Sequence, residues 1–169
     1  MLGWLRKLFV GKKPKEVYPF DGRTPLEIAR EFFTNLGEKD TAFTLLKRDE
    51  RGEEYKVQTT KQEWRVYYTV KNDIRGGVQH KTAHNCKVIA GRVFWHVLKP
   101  CEGCPAGRVE DRKICRAGEL VRTPPCTPHY MISIGDPSIT VEWLDGGGWE
   151  ESDFPEYKKM VEAPLIDAQ

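Results

Sequence analysis

The stretch that decides how this chain is read is Arg75-Gly-Gly-Val-Gln-His80-Lys-Thr-Ala-His84-Asn-Cys-Lys-Val-Ile-Ala-Gly91. Its companion downstream is Gly118-Glu-Leu-Val-Arg-Thr-Pro124-Pro-Cys-Thr-Pro-His129. Three of the four histidines fall in these two segments. If 78–81 is a strand, Val78 and His80 project to one face and Gln79 to the other, because side chains alternate along extended backbone. His84 then begins a neighbouring strand after a bend, and His129 follows a proline-stiffened turn. Three imidazoles brought together this way can bind one divalent metal and leave positions open for water or substrate. The same three can instead line a metal-free pocket, or pack in a core with their nitrogens hydrogen-bonded.

Outward from these segments the chain reads as strands. Ala42–Arg48 and Glu53–Gln58 flank a turn at 49–52, and Trp64, Val66, Tyr68 and Val70 alternate along the next segment. Asn72-Asp73 and Gly76-Gly77 mark a bend. Cys86 to Leu98 is β-rich and broken by the tight turn Gly91-Arg92. A loop is expected over 99–117, then short strands at Gly118–Arg122, Tyr130–Ile134 and Ile139–Leu144. Short strands without helical crossovers indicate an all-β sandwich or barrel. One helix is legible at 24–36: Thr24 caps it, Pro25 suits its first position, Glu27 completes a capping box and Gly37 stops it. The organisation expected is an N-terminal extension over 1–22, the barrel with its covering helix over 23–145, and a tail over 146–169. That tail carries a short helix near 154–162.

In residues 2–13, Trp4, Leu5, Leu8 and Phe9 share a helical face among Arg6, Lys7, Lys12 and Lys13. This face suits either docking on the barrel or a partner subunit, or peripheral contact with an anionic membrane. The 169 residues suffice for one domain with a real core. A net charge of +2, with 31% charged residues of mixed sign, gives no footprint for nucleic acid. Five cysteines cannot all pair within one molecule. Without a secretory leader pattern, they point to the cytoplasm.

The paired segments resemble the two motifs of the cupin superfamily, small jelly-roll β-barrels. Gly118, Pro124 and His129 match the second motif, with Cys126 in place of a glycine. In the first, counting back from Gly91 puts His84 where the family has a glutamate and His80 at the second histidine. Val78 replaces the first histidine. The resemblance implies an all-β, cupin-like barrel whose metal ligands are His80, His84 and His129. The metal would be Zn, Fe or Ni, serving an enzyme of oxygenase, isomerase or lyase type. Gln79, Asn85, Glu119 and Tyr130 are candidates to orient the ligands.

A narrower similarity, through Arg75-Gly76, His80-Lys81, Lys87, Gly91 and Pro124-Pro125, is to metal-free cupins that isomerise or epimerise nucleotide-linked deoxy-sugars. It implies His80 or His129 as acid or base, with Arg75 or Lys81 holding anionic groups. The family's usual base falls on Val78, which cannot move a proton. A non-catalytic cupin that binds a sugar or serves assembly is the third reading. Tyr68, His96, Arg122 and Tyr130 complete the expected substrate-binding set for a small molecule such as a sugar or organic acid, in a homodimer.

Cys101-Glu-Gly-Cys104, with Cys115 and Cys126, has the spacing of a structural zinc site. A disulfide or free thiols are the alternatives. Cys86 reads as core.

Overall fold

The computed structural model describes residues 20–38, 40–100 and 108–162. The N-terminal amphipathic segment, Cys101 and Cys104 lie outside the described residues.

The elements follow the alternation of the sequence. Helix α1 (Pro25–Asn35) starts at Thr24, whose hydroxyl accepts from the Glu27 N–H while the Glu27 carboxylate accepts from the Thr24 N–H. This reciprocal pair satisfies two donors that the first helical turn leaves open. The strands are β1 (Ala42–Asp49), β2 (Gly52–Gln58), β3 (Glu63–Thr69), β4 (Ile74–Gln79), β5 (His84–Ala90), β6 (Arg92–Pro100), β7 (Arg108–Arg116), β8 (Leu120–Thr123), β9 (His129–Ser133), β10 (Ser138–Leu144) and β11 (Ser152–Asp153). Helix α2 (Pro155–Glu162) closes the described chain.

Two antiparallel sheets result, in the orders β1-β2-β3-β10-β5-β8 and β11-β4-β9-β6-β7. The outer face of the first packs under α1, where Ile28, Ala29 and Phe33 meet Val57, Trp64, Val66, Ile139 and Val141. Phe33 is fully buried and meets Phe43 and Trp64 edge-on. The outer face of the second sheet packs under α2 through Tyr130, Ile132 and Tyr157. Between the sheets lie Cys86, Val88, Val93, Trp95, Val97, Cys115 and Met131. Strand parity therefore decides the site: Ile139 and Val141 face α1, and Thr140 and Glu142 face inward.

The loop expected over 99–117 is corrected. β6 continues to Pro100 and β7 returns antiparallel to it over Arg108–Arg116. β7 is an edge strand on which only Cys115 is buried from residue 109 onward. Its charged run Val109-Glu-Asp-Arg-Lys113 shows none of the alternation that identifies a half-buried strand. The two-residue strand β11 was likewise not legible, since its pairing with Gln79 and Val78 is its only strand character.

β4 carries a bulge between Gly76 and Val78, with Gly76 and Gly77 both at positive φ. A Cβ at Gly77 would meet the Lys158 backbone at 3.0 Å, so the missing side chain lets α2 approach. The bulge bends the strand and re-aims the residues beyond it, His80 among them.

Candidate metal centre

His80 lies one residue past β4, His84 opens β5 and His129 opens β9, so three strand ends deliver the three rings. Each is almost fully buried. The ring centroids of His80–His84, His84–His129 and His80–His129 lie 4.7, 4.6 and 5.3 Å apart.

Each ring is held from outside by one of its nitrogens. His80 Nδ1–H donates to the Glu150 carbonyl at 2.5 Å, and His129 Nδ1–H donates to the Thr127 carbonyl at 3.0 Å. A carbonyl only accepts, so each of these rings turns an Nε2 lone pair inward. His84 Nε2 lies 3.0 Å from the Glu142 carboxyl, and its Nδ1 lies 2.8 Å from His129 Nε2.

Two proton placements fit this geometry. With Glu142 ionised, His84 Nε2–H donates to it and two lone pairs face each other at 2.8 Å, which a cation among the rings would relieve. With Glu142 protonated, its O–H donates to His84 Nε2 and His84 Nδ1–H donates to His129. In both, His80 Nε2 is buried without a hydrogen-bond partner.

Burial, and then the neighbouring imidazoles, push His84 and His129 well below the ordinary histidine range, so both rings are neutral and ligand-ready. Burial pushes Glu142 upward, against a hydrogen bond from Thr140 that pulls it down. One ligand atom from each of His80, His84 and His129 lies within 4.8 Å of the others, and among the described residues no other His, Cys, Asp or Glu group is as compact. Nitrogens about 2.0–2.1 Å from a shared tetrahedral ion lie roughly 3.3 Å apart, so the His84–His129 pair at 2.8 Å would open slightly while the wider separations, up to 4.8 Å, would close.

Trp95 stacks on His129 at 5.3 Å and 17°, and Trp149 meets His80 and His84 edge-on. The rings open into a cavity of about 190 Å³ whose wall also includes Tyr67, Glu54, Arg51, Arg75 and Lys47.

Of the expected substrate residues, Arg75 lines this cavity. His96 does not: it follows Trp95 by one residue and so points outward, stacking on Tyr130 with its Nδ1 hydrogen-bonded to the Tyr130 hydroxyl at 2.9 Å. Tyr68 packs against Phe20 near α1. The Lys81 main-chain N–H donates to the Glu150 carboxylate while its side chain is exposed. Arg122 pairs with Asp145 at the surface.

Cys86 is core, as expected, and Cys115 is buried beside it. Cys126 is exposed, and all three are free thiols. Of the ligand-orienting candidates, Asn85 bonds Asp145, and Glu119 accepts from the Arg116 N–H.

Sequence reasoning missed Glu142, Trp95 and Trp149. The signal for Glu142 was present: an acid in the otherwise apolar strand Ile139-Thr-Val-Glu-Trp-Leu144 demands a buried partner. Trp149 had none, since the segment carrying it has no periodicity.

Neither a protein-family model nor a curated protein sequence matches the chain. Solved structures share its architecture. The capsular polysaccharide assembling protein CapF from Staphylococcus aureus superposes with a TM-score of 0.52 at 15% identity, over 62% of this chain and 29% of that one. An oxalate decarboxylase superposes with a TM-score of 0.57 at 16% identity, over 72% and 32%. Vicilin from hazelnut, Corylus avellana, gives 0.52 at 14%, over 58% and 30%. This chain spans about a third of their lengths. At such identities the likeness is one of fold. The fold is the cupin barrel anticipated from the paired motifs.

Proposed function

We propose that this protein is a metal-dependent cupin enzyme acting on a small polar molecule, with His80, His84 and His129 holding a divalent Zn, Fe or Ni. One observation carries the reading: three buried imidazoles converge, and each is braced from behind by a hydrogen bond to the protein. Metal-ligating histidines are characteristically braced in this way, which fixes both tautomer and ring orientation. When bound, such an ion supplies Lewis acidity to a substrate oxygen or lowers the pKa of a bound water. The chain's own residues do the rest. Glu142 holds the His84 proton, and Trp95 and Trp149 exclude water.

A second reading rests on the 2.8 Å contact between His84 and His129 and on the upward push on Glu142. Together these describe a metal-free proton chain, Glu142 to His84 to His129, in an isomerase- or epimerase-like cupin with His80 or His129 as acid or base. The resemblance to CapF in fold is compatible with it. Buried Val78 stands against it, because it occupies the family's base position. A non-catalytic binding or assembly cupin is the third.

A cytoplasmic homodimer accompanies all three readings. The exposed edge strand β1, with Leu45 and Leu46 uncovered, offers a surface for it. Among the described residues no helix is long and apolar enough to cross a membrane.

Elemental analysis of protein purified without added metal tests the first reading. One divalent ion per chain, lost in His80→Ala/His129→Ala, is expected. A ratio near zero that survives reconstitution overturns it, and a ratio near one that persists in the double variant assigns the metal to Cys101 and Cys104. Solvent deuterium entering a nucleotide-sugar would instead establish the second.

A further inference from the structure

The half of the cavity away from the histidines has an unusual charge arrangement. Asp49, at the end of β1, is surrounded by cations: Arg51 reaches it at 2.8 Å, Lys47 at 3.1 Å and Arg75 at 3.7 Å. Three positive charges share this one carboxylate. All three cations line the cavity. Glu54 and Glu151 line the same cavity and offset part of this positive charge, Glu54 lying 3.5 Å from Arg65 and acting on Arg75 as well.

Arg75 is the most confined of the set, with a side chain only 7% exposed. One guanidinium NH2 donates to the Tyr68 carbonyl at 3.3 Å, and its buried Nε has no acceptor. A buried guanidinium whose carboxylates stay beyond close hydrogen-bond range and whose Nε has no acceptor is costly to leave so. An arginine of this kind suits a planar oxyanion, which its fork of donors can grip.

Size narrows the ligand further. At about 190 Å³ the cavity is smaller than the roughly 300–1,000 Å³ typical of drug-sized ligand sites. A nucleotide-linked sugar is larger than this volume and would have to extend beyond the walls. A neutral sugar fits in size, but offers no charged acceptor to the unpartnered Arg75 Nε.

We infer that the substrate of this site is a small organic acid, its carboxylate held by Arg75 and Arg51 and its other polar end turned to the three histidines. The inference rests on the proposed function for its second half only. The carboxylate subsite stands on the cluster around Asp49, with or without a metal.

The test is titration of full-length protein, metal-free and metal-loaded, with malonate, inorganic phosphate and glycerol, following tryptophan fluorescence, since Trp95 and Trp149 line the cavity. Malonate is expected to bind both forms and to bind the loaded form more tightly. Arg75→Gln is expected to weaken it about tenfold or more, as loss of a charge-assisted hydrogen bond does. Because Arg75 is buried, Arg51→Gln, at a side chain 19% exposed, serves as the second variant and is expected to act in the same direction. Arg112→Gln, on the exposed strand β7, is expected to change nothing.

Phosphate or glycerol binding as tightly as malonate overturns the organic-acid assignment. So does malonate binding that both Arg75→Gln and Arg51→Gln leave unchanged, or no malonate binding to either form. Arginine-dependent malonate binding in a protein that never takes up metal would sink the metal reading and leave the subsite in place.

Discussion

Glu142 and Val78 show how much of this protein is set by single side chains. Glu142 is the one carboxyl in contact with the histidine cluster among the described residues, and the hydrogen bond to His84 fixes which nitrogen that ring turns inward. Replacing it with glutamine preserves shape and removes the carboxylate. Metal affinity in Glu142→Gln is expected to fall about 10–100-fold, as loss of a ligand's hydrogen-bond partner does; competition with a chelating dye reads this directly. Asp49 gives a pH prediction. Desolvation raises its pKa, but hydrogen bonds from Arg51 and Lys47 and the charge of Arg75 outweigh that and lower it from 3.8 to about 2. A carboxyl depressed in the folded state stabilises fully above its unfolded pKa, and the stabilisation disappears as pH falls through the folded value. The depression corresponds to roughly 2 kcal/mol at neutral pH. Asp49→Asn is therefore expected to lose about that much at pH 7, and the gap to the parent protein should close between pH 4 and 2 in urea titrations.

Among the elements, α1 is local in origin. Its cap, first-turn proline and stop are all within the helix and its flanks, so the sequence reading and the structure agree on it. Removing the cap in Thr24→Ala is expected to cost about 1 kcal/mol by thermal unfolding. The turn between β1 and β2 is different, because its glycine is required from outside. Gly52 has φ +119, and a Cβ there would lie 2.1 Å from the Tyr68 carbonyl oxygen on β3. Gly118 also has positive φ but faces open space. Gly118→Ala should thus cost on the order of 1–2 kcal/mol from backbone strain alone. Gly52→Ala should cost more, and equal losses in the two variants would contradict the close approach of β3. The segment from Gly146 to Asp153 is the element with most effect on the site. It places Trp149 against the rings and the Glu150 carbonyl on His80.

For the whole molecule, the histidine centre ties the two sheets together: His84 belongs to one, and His129 and the approach to His80 to the other. An ion bound to all three stabilises the folded state and has no such site in the unfolded chain. At a hundredfold excess over its dissociation constant it contributes about 2.7 kcal/mol. For a chain of this size the melting temperature should rise by roughly 5–11 °C with added metal and fall again with chelator. An unchanged melting temperature in the face of one bound equivalent would place the ion elsewhere. The sequence by itself determined the strand alternation, the capped helix, the three histidines and, through the paired motifs, the cupin barrel. These are local patterns or fixed spacings, and each is carried by residues close in the chain. Only the tertiary structure decided that Glu142 and Trp95 meet the rings, that His96 turns away from them, and that three cations share Asp49. Those contacts depend on register across strands far apart in sequence, where a shift of one residue sends every side chain to the opposite face.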